Sequence, residues 1–230
     1  MTVIFTYRNF SLEDITPLNG RVAVVTVSPL VISQPSNQVP QGGQAGIGKE
    51  ITTQLLLHEI EKVIIVARSE DRYITARGEW RHRKGLSLEN DLSNNIERVF
   101  ATNCAGHQVL ATLLLPLLKN SVTPSNDVRI VVTSSSFHCW CQKLDLDLLF
   151  SSSRVKWPAL YDGVWRLEDG AATGLYLATS REVQEQNHRG RYFMPIATQC
   201  EPSAISGNMK LARDLWDWID AQATETLGLD

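Results

Sequence analysis

Apolar positions along the chain fall into two kinds of run. Short unbroken runs, Val22-Ala23-Val24-Val25 and Val63-Ile64-Ile65-Val66, have the length and β-branched content of strands buried on both faces. Longer stretches repeat every three or four residues. Ile47, Ile51, Leu55 and Leu56 mark a helix from about Gly46 to His58. Val99, Phe100, Asn103, Leu110 and Leu114 mark a second, from Ile96 through Leu118, and Leu211, Leu215, Trp218 and Ile219 mark a closing helix over 210–224. Strand one is placed at 21–26, strand two at 62–67 and a further strand at 127–136. Residues 1–20 read as an irregular arm ended by Pro17 and Gly20, and 70–84 as a charged helix.

Gly42-Gly43-Gln44-Ala45-Gly46-Ile47-Gly48-Lys49 stands ahead of the first helix. Close-set glycines turn the backbone tightly and let a phosphate reach peptide N–H groups with no Cβ in the way. The helix N-terminus adds partial positive charge. Strand, glycine turn, helix and strand make the first βαβ unit of a dinucleotide-binding fold. Fifteen residues, Val27 to Gln41, separate strand one from the glycines, whereas a turn that cradles a pyrophosphate is short. This stretch, VSPLVISQPSNQVPQ, has no amphipathic period. Its first dipeptide can be encoded by a 5′ splice site and its last residue by a 3′ site ending in CAG. It reads as a retained in-frame intron; the alternative is a genuine surface insertion.

Without 27–41, Arg21–Thr26 joins Gly42–Gly48, and the resulting string resembles the TGxxxGIG motif of the short-chain dehydrogenase/reductase family. Arg129-Ile130-Val131-Val132-Thr133-Ser134-Ser135-Ser136 followed by His138 resembles that family's serine strand. DGAATGLYLATS, over 169–180, resembles its late helix, and Arg189-Gly190-Arg191-Tyr192-Phe193 its last strand. The wording is most similar to fungal, retinol-dehydrogenase-like members from secondary-metabolite clusters. The resemblance implies an α/β, doubly wound, Rossmann-like parallel sheet, one domain over 21–230, and NADP as cofactor. Thr26, Gly42, Gly46, Ile47, Gly48 and Lys49 then line the cofactor turn. Arg68, at the end of strand two, resembles a residue that suits the 2′-phosphate of NADP. Asn103 takes the role of the water-anchoring Asn, and Ser135 that of the catalytic Ser.

Hydride exchange between a nicotinamide and a carbonyl carbon needs a proton donor of lowered pKa beside the oxygen. The family uses Tyr with Lys four residues on, one helical turn away. The residues four after Tyr7, Tyr73, Tyr161, Tyr176 and Tyr192 are Ser11, Arg77, Trp165, Ser180 and Ile196. Half of the tetrad is absent. About one βαβ-sized block, roughly 30–50 residues, is missing ahead of the Asn103 helix, where Asn94-Asn95 is followed by Ile96-Glu97. A second block, with the Tyr/Lys helix, is missing after Trp165. The sheet is therefore expected to be incomplete. The family dimerises through its Asn and Tyr/Lys helices, so a homodimer is implied, and the 96–118 helix here should lack its cover.

Bulk properties exclude more than they assign. The 230 residues suffice for one α/β domain. A net charge of −3 gives no case for nucleic acid, and no stretch reaches the ~18 apolar residues of a membrane span. MTVIFTYRNF has no secretory pattern, and Cys104, Cys139, Cys141 and Cys200 make no disulfide framework, which points to a cytoplasmic location. His138-Cys139-Trp140-Cys141 lacks the spacing of a metal site, so no metal is expected. The expected function is NADP-dependent carbonyl/alcohol oxidoreduction on a small lipophilic metabolite of fungal secondary metabolism. The alternatives are a catalytically dead relative that binds a nucleotide or a partner, and an unrelated α/β interaction module.

Overall fold

The computed structural model describes residues 10–26, 46–66, 100–124, 126–135 and 167–228. The chain divides into two compact units, one of Met1–Asp91 with Trp157–Cys200, the other of Leu92–Lys156 with Glu201–Asp230.

The first unit is built on a parallel strand pair. Strand β1 (Val22–Thr26) pairs with β2 (Lys62–Val66) in the register Val22 with Lys62 through Thr26 with Val66. Parallel strands need a crossover, and helix α1 (Gly46–Leu57) supplies it and packs on both. Alternation sends Val25, Val63 and Ile65 into a core with Leu55, Ile60, Ala171 and Leu175, while Val22, Val24 and Val66 on the opposite face stay exposed. This is an α/β arrangement, with strand two and the first helix where the apolar pattern places them. The residues 10–20 do more than an arm would. Ser11 caps a 3-10 turn, Leu12–Asp14, and Ile15 and Leu18 are buried in the same core.

Helix α1 ends in a Schellman arrangement. Ile60 N–H donates to the Leu55 carbonyl and Glu59 N–H to that of Leu56, and Ile60 and Leu55 are both buried. The left-handed position that this end requires is filled by Glu59, at φ 63°, instead of the usual glycine.

Helix α2 (Gly106–Asn120) belongs to the second unit. Helix α3 (Leu167–Thr179) matches the expected late helix and lies against α1. Gly170 and Gly174 make that approach close. A Cβ on Gly170 would stand 3.0 Å from Ile47 Cδ1, and one on Gly174 would stand 3.4 Å from Ile51 Cδ1. A short helix, α4 (Arg181–Glu185), follows, capped by the Ser180 hydroxyl.

The segment expected as a last sheet strand forms a separate antiparallel hairpin instead. Strand β3 (Tyr192–Met194) pairs with β4 (Thr198–Cys200), not with β1 or β2. A three-residue connection favours local pairing, which costs far less chain entropy than joining a distant parallel sheet. Thr173 of α3 pins the hairpin: its hydroxyl donates to the Met194 carbonyl at 3.4 Å and accepts from Ala197 N–H at 3.1 Å.

In the second unit, a π-helical turn, Ala101–Ala105, leads into α2, and the closing helix α5 (Met209–Leu227) packs on α2. The Asn208 side chain caps α5 through Lys210 and Leu211 N–H, and Gly228 at φ 62° ends it. The expected strand at 127–136 is not seen over its described part: residues 127–135 belong to neither sheet, and Ile130 and Val132 are 54% and 74% exposed. A strand persists only where a neighbour completes its ladder, so β-branched composition alone could not decide this segment.

Two substitutions test these arguments. Glu59→Gly should raise stability by about 0.5–1 kcal/mol, because glycine relieves the left-handed strain. Gly170→Leu should lower it by about 1–3 kcal/mol through overpacking on Ile47. Urea denaturation measures both; equal midpoints for Glu59→Gly and the parent chain would contradict the capping argument.

Candidate active site

Two groups of expected site residues fall in different units. In the first, β1 ends at Thr26 and α1 begins at Gly46. Because β1 and β2 are parallel, the connecting helix must return toward the start of β2, so its N-terminus faces the carboxyl end of β1. Ligands of open α/β sheets are bound outside this edge. The first turn of a helix carries N–H groups that point out from its end, and no acidic residue occupies the first turn of α1. Both features suit an anion. Ile47 is 40% exposed yet rests on Gly170, so it serves packing as well as the turn. Gly48 and Lys49 carbonyls accept from the hydroxyls of Thr52 and Thr53, at 2.9 Å each. Gly42 and Arg68 lie outside the described residues.

In the second unit, Asn103 is the central residue of the π-turn. Its side-chain Oδ1 is buried and has no hydrogen-bond partner. An unpaired buried carbonyl carries a desolvation cost of about 1–3 kcal/mol, and such orphans are expected where a ligand or water is to be held. π-turns concentrate at functional positions for a related reason: the extra residue breaks the helical hydrogen-bond register. Ser135 is exposed and lies in the segment without strand structure. His138, Cys139 and Cys141 lie outside the described residues.

The tyrosines also sort by environment. Tyr176 is buried, makes an edge contact with Phe10 at 5.4 Å, and points its hydroxyl at Glu182 Oε2, 3.3 Å away. Ser180, four residues on, caps α4. Tyr176 is thus a core tyrosine, which agrees with its lacking a lysine partner. Tyr192 belongs to β3, and Tyr7, Tyr73 and Tyr161 lie outside the described residues.

Sequence reasoning missed two features of this region. Cys104, beside Asn103, is half-buried, and burial pushes its thiol above the ordinary value of 9.0. Gln108 is buried and hydrogen-bonded to α5. A polar residue on an amphipathic helix carries no sequence signal of burial.

Comparison with known proteins gives two full-length similarities. The chain is 23% identical over 309 aligned positions to each of two short-chain dehydrogenase/reductases of Armillaria gallica, covering 94% of this chain and 94% of the relative in both cases. It is also 25% identical over 175 positions to bli-4, a mitochondrial protein of Neurospora crassa named as a candidate oxidoreductase, covering 56% of this chain and 39% of that one. No protein-family model and no solved structure matches.

The buried thiol predicts a pH dependence. As pH rises past 9.0 the unfolded chain gives up the Cys104 proton before the folded chain does. Stability from this group is therefore complete below that pH and declines above it. The urea midpoint should hold up to pH ~8.5 and then fall, and Cys104→Ala should reduce the fall. An identical decline in the Ala variant would assign it to other groups.

Proposed function

We propose that this chain is a short-chain dehydrogenase/reductase-type oxidoreductase, built to bind a nicotinamide dinucleotide on the glycine-led end of α1. The parallel β1–α1–β2 unit carries this reading, since it sets the start of a helix with no acidic residue in its first turn at the sheet edge where dinucleotides bind. The similarity along 94% of the chain to two proteins of that name supports it. The cofactor is NADP. Arg68, two residues beyond the end of β2, offers the 2′-phosphate a cation where NAD would want a carboxylate. Asn103 holds a water of the proton relay on its unpaired Oδ1, and the Ser135 hydroxyl holds the substrate oxygen. The substrate is a small lipophilic metabolite of fungal secondary metabolism, handled in the cytoplasm. Among the described residues no helix is long and apolar enough to cross a membrane.

The chain as it stands is an interrupted version of that enzyme. About 216 of its 230 residues fill the 309 aligned positions, so roughly 90 positions of the relatives have no counterpart here. That supports the reading of two missing blocks in a doubly wound sheet, as do the exposed Val22, Val24 and Val66 on the open face of β1 and β2. Residues 27–41 are then a retained intron within a single domain over 21–230. Leu113 and Leu117 of α2, 57% and 62% exposed, are where a homodimer would form once the Tyr/Lys helix is restored.

A second reading follows from the absent Tyr-x-x-x-Lys pair: a dead relative that binds nucleotide or a partner without turnover. Genomic sequence separates the two. Codons for Asn-Asn-Ala-Gly and Tyr-x-x-x-Lys beside the two gaps favour an intact enzyme, and their absence favours the dead relative.

The 230-residue chain should reduce no carbonyl with NADPH. Ser135 can hydrogen-bond the developing alkoxide, but its hydroxyl is far too weak an acid to protonate it at neutral pH. The general acid it lacks is typically worth ~10²–10⁴-fold. Restoring both blocks and deleting 27–41 should return turnover, with tighter binding of NADPH than NADH by calorimetry. Ser135→Ala should then abolish most of that turnover. Ser135-dependent NADPH oxidation by the unrepaired chain would refute the assignment of the missing acid.

A further inference from the structure

The closing helix α5 grips the chain on both sides of the π-turn. Upstream, the Phe100 ring meets Trp218 edge-on, with centroids 6.0 Å apart and planes at 68°. Downstream, Gln108 Nε2 donates to the Trp216 carbonyl at 2.9 Å and to Asp220 Oδ1 at 2.8 Å. Asn103 lies between the two grips, with its Oδ1 buried and unpaired.

This arrangement answers a physical problem. A π-turn is less favourable than the α-helix it interrupts, and short ones survive only where the surroundings hold them. Removing the extra residue from the register would rotate the chain on one side of the turn by ~100° relative to the other. The Asn103 side chain would swing with it. Gln108 is well suited to prevent this. Its amide nitrogen has two hydrogens, and both are used. One acceptor is a backbone carbonyl, which no rotamer change can move. The other is a carboxylate, which strengthens the bond by its charge. Trp216 and Asp220 are one helical turn apart on the same face of α5, so the two acceptors are presented at a fixed spacing.

We infer that Gln108 is a positioning residue: by anchoring α2 to Trp216 and Asp220 of α5, it keeps the π-turn in register and the Asn103 carbonyl turned inward and unpaired. Its functional weight rests on the reading of Asn103 as the anchor of a relay water. The anchoring itself does not.

The test uses the full 230-residue chain with labelled asparagine side chains, read by NMR together with amide hydrogen exchange. Gln108→Met keeps length and burial but removes both donors. It should shift the Asn103 side-chain amide resonances and speed exchange at 101–105 by about tenfold or more, with exchange over 46–57 unchanged. Asp220→Asn keeps an acceptor and loses the charge, so it should act in the same direction and more weakly; it carries the test if Gln108→Met does not fold. Gln108→Glu sets an acceptor-only carboxylate against the Trp216 carbonyl and the Asp220 carboxylate, so it should lose at least as much protection as Gln108→Met. Unmoved Asn103 resonances in Gln108→Met, or a loss of protection spread equally over 209–227, would overturn the proposal. Asn103→Ala in the repaired enzyme examines the other claim. Full turnover there would end the relay-water reading and leave the positioning role standing.

Discussion

A parallel pair of strands cannot be closed by a tight turn, and that constraint organises the first unit. The chain must leave β1, travel back across the sheet and re-enter at the start of β2. Only a covering element can do this while keeping the strand face dry. Helix α1 does so with Leu55, and its Schellman end places Ile60 beside Leu55 just before β2 begins. Val25, Val63 and Ile65 are buried beneath this return path, in a core shared with Ile15 and Leu18. Helix α3 adds a second layer through Ala171 and Leu175, and its glycines let α1 come close. The same geometry leaves the N–H groups at the start of α1 facing the strand ends. The anion-binding potential is thus a by-product of how a parallel crossover must run.

The second unit solves a different problem: how to keep a polar group buried without satisfying it. Helix hydrogen bonding would ordinarily leave a side-chain amide free to seek solvent or a backbone partner. Here the π-turn and the anchoring of α2 on α5 hold the Asn103 carbonyl buried and unpaired. Such a group is a liability for stability and an asset for holding water. By contrast Tyr176, whose hydroxyl is bonded to Glu182 and whose ring is packed by Phe10, is a polar residue with no chemistry left to perform.

Chemistry and architecture separate in this chain. The elements expected to hold a nucleotide survive in recognisable order, while the acid that a reductase needs has no candidate: no tyrosine has a lysine four residues on. A scaffold is a sum of many contacts and tolerates the loss of some. A proton transfer depends on one group at one distance, and nothing nearby replaces it.

How much of this could be read without the fold follows from the range of each interaction. Local periodicity determined α1, α5, β1 and β2, because helix faces and buried runs are written in residues a few positions apart, while α3 was legible only through its resemblance to a family's late helix. The glycine run, Asn103 and Ser135 could be singled out for the same reason, as short strings that resemble family motifs. Whether Ile130–Val132 becomes a strand, whether Tyr192–Met194 joins a parallel sheet or folds on Thr198–Cys200, and whether Gln108 is buried were decided only by tertiary structure. A strand needs a partner that its own residues do not name, and a buried amide needs acceptors more than a hundred residues away. The sequence by itself determined which segments could be helices, strands and phosphate-binding turns. The fold alone decided which found neighbours, because ladder bonds and polar burial are properties of pairs of distant segments.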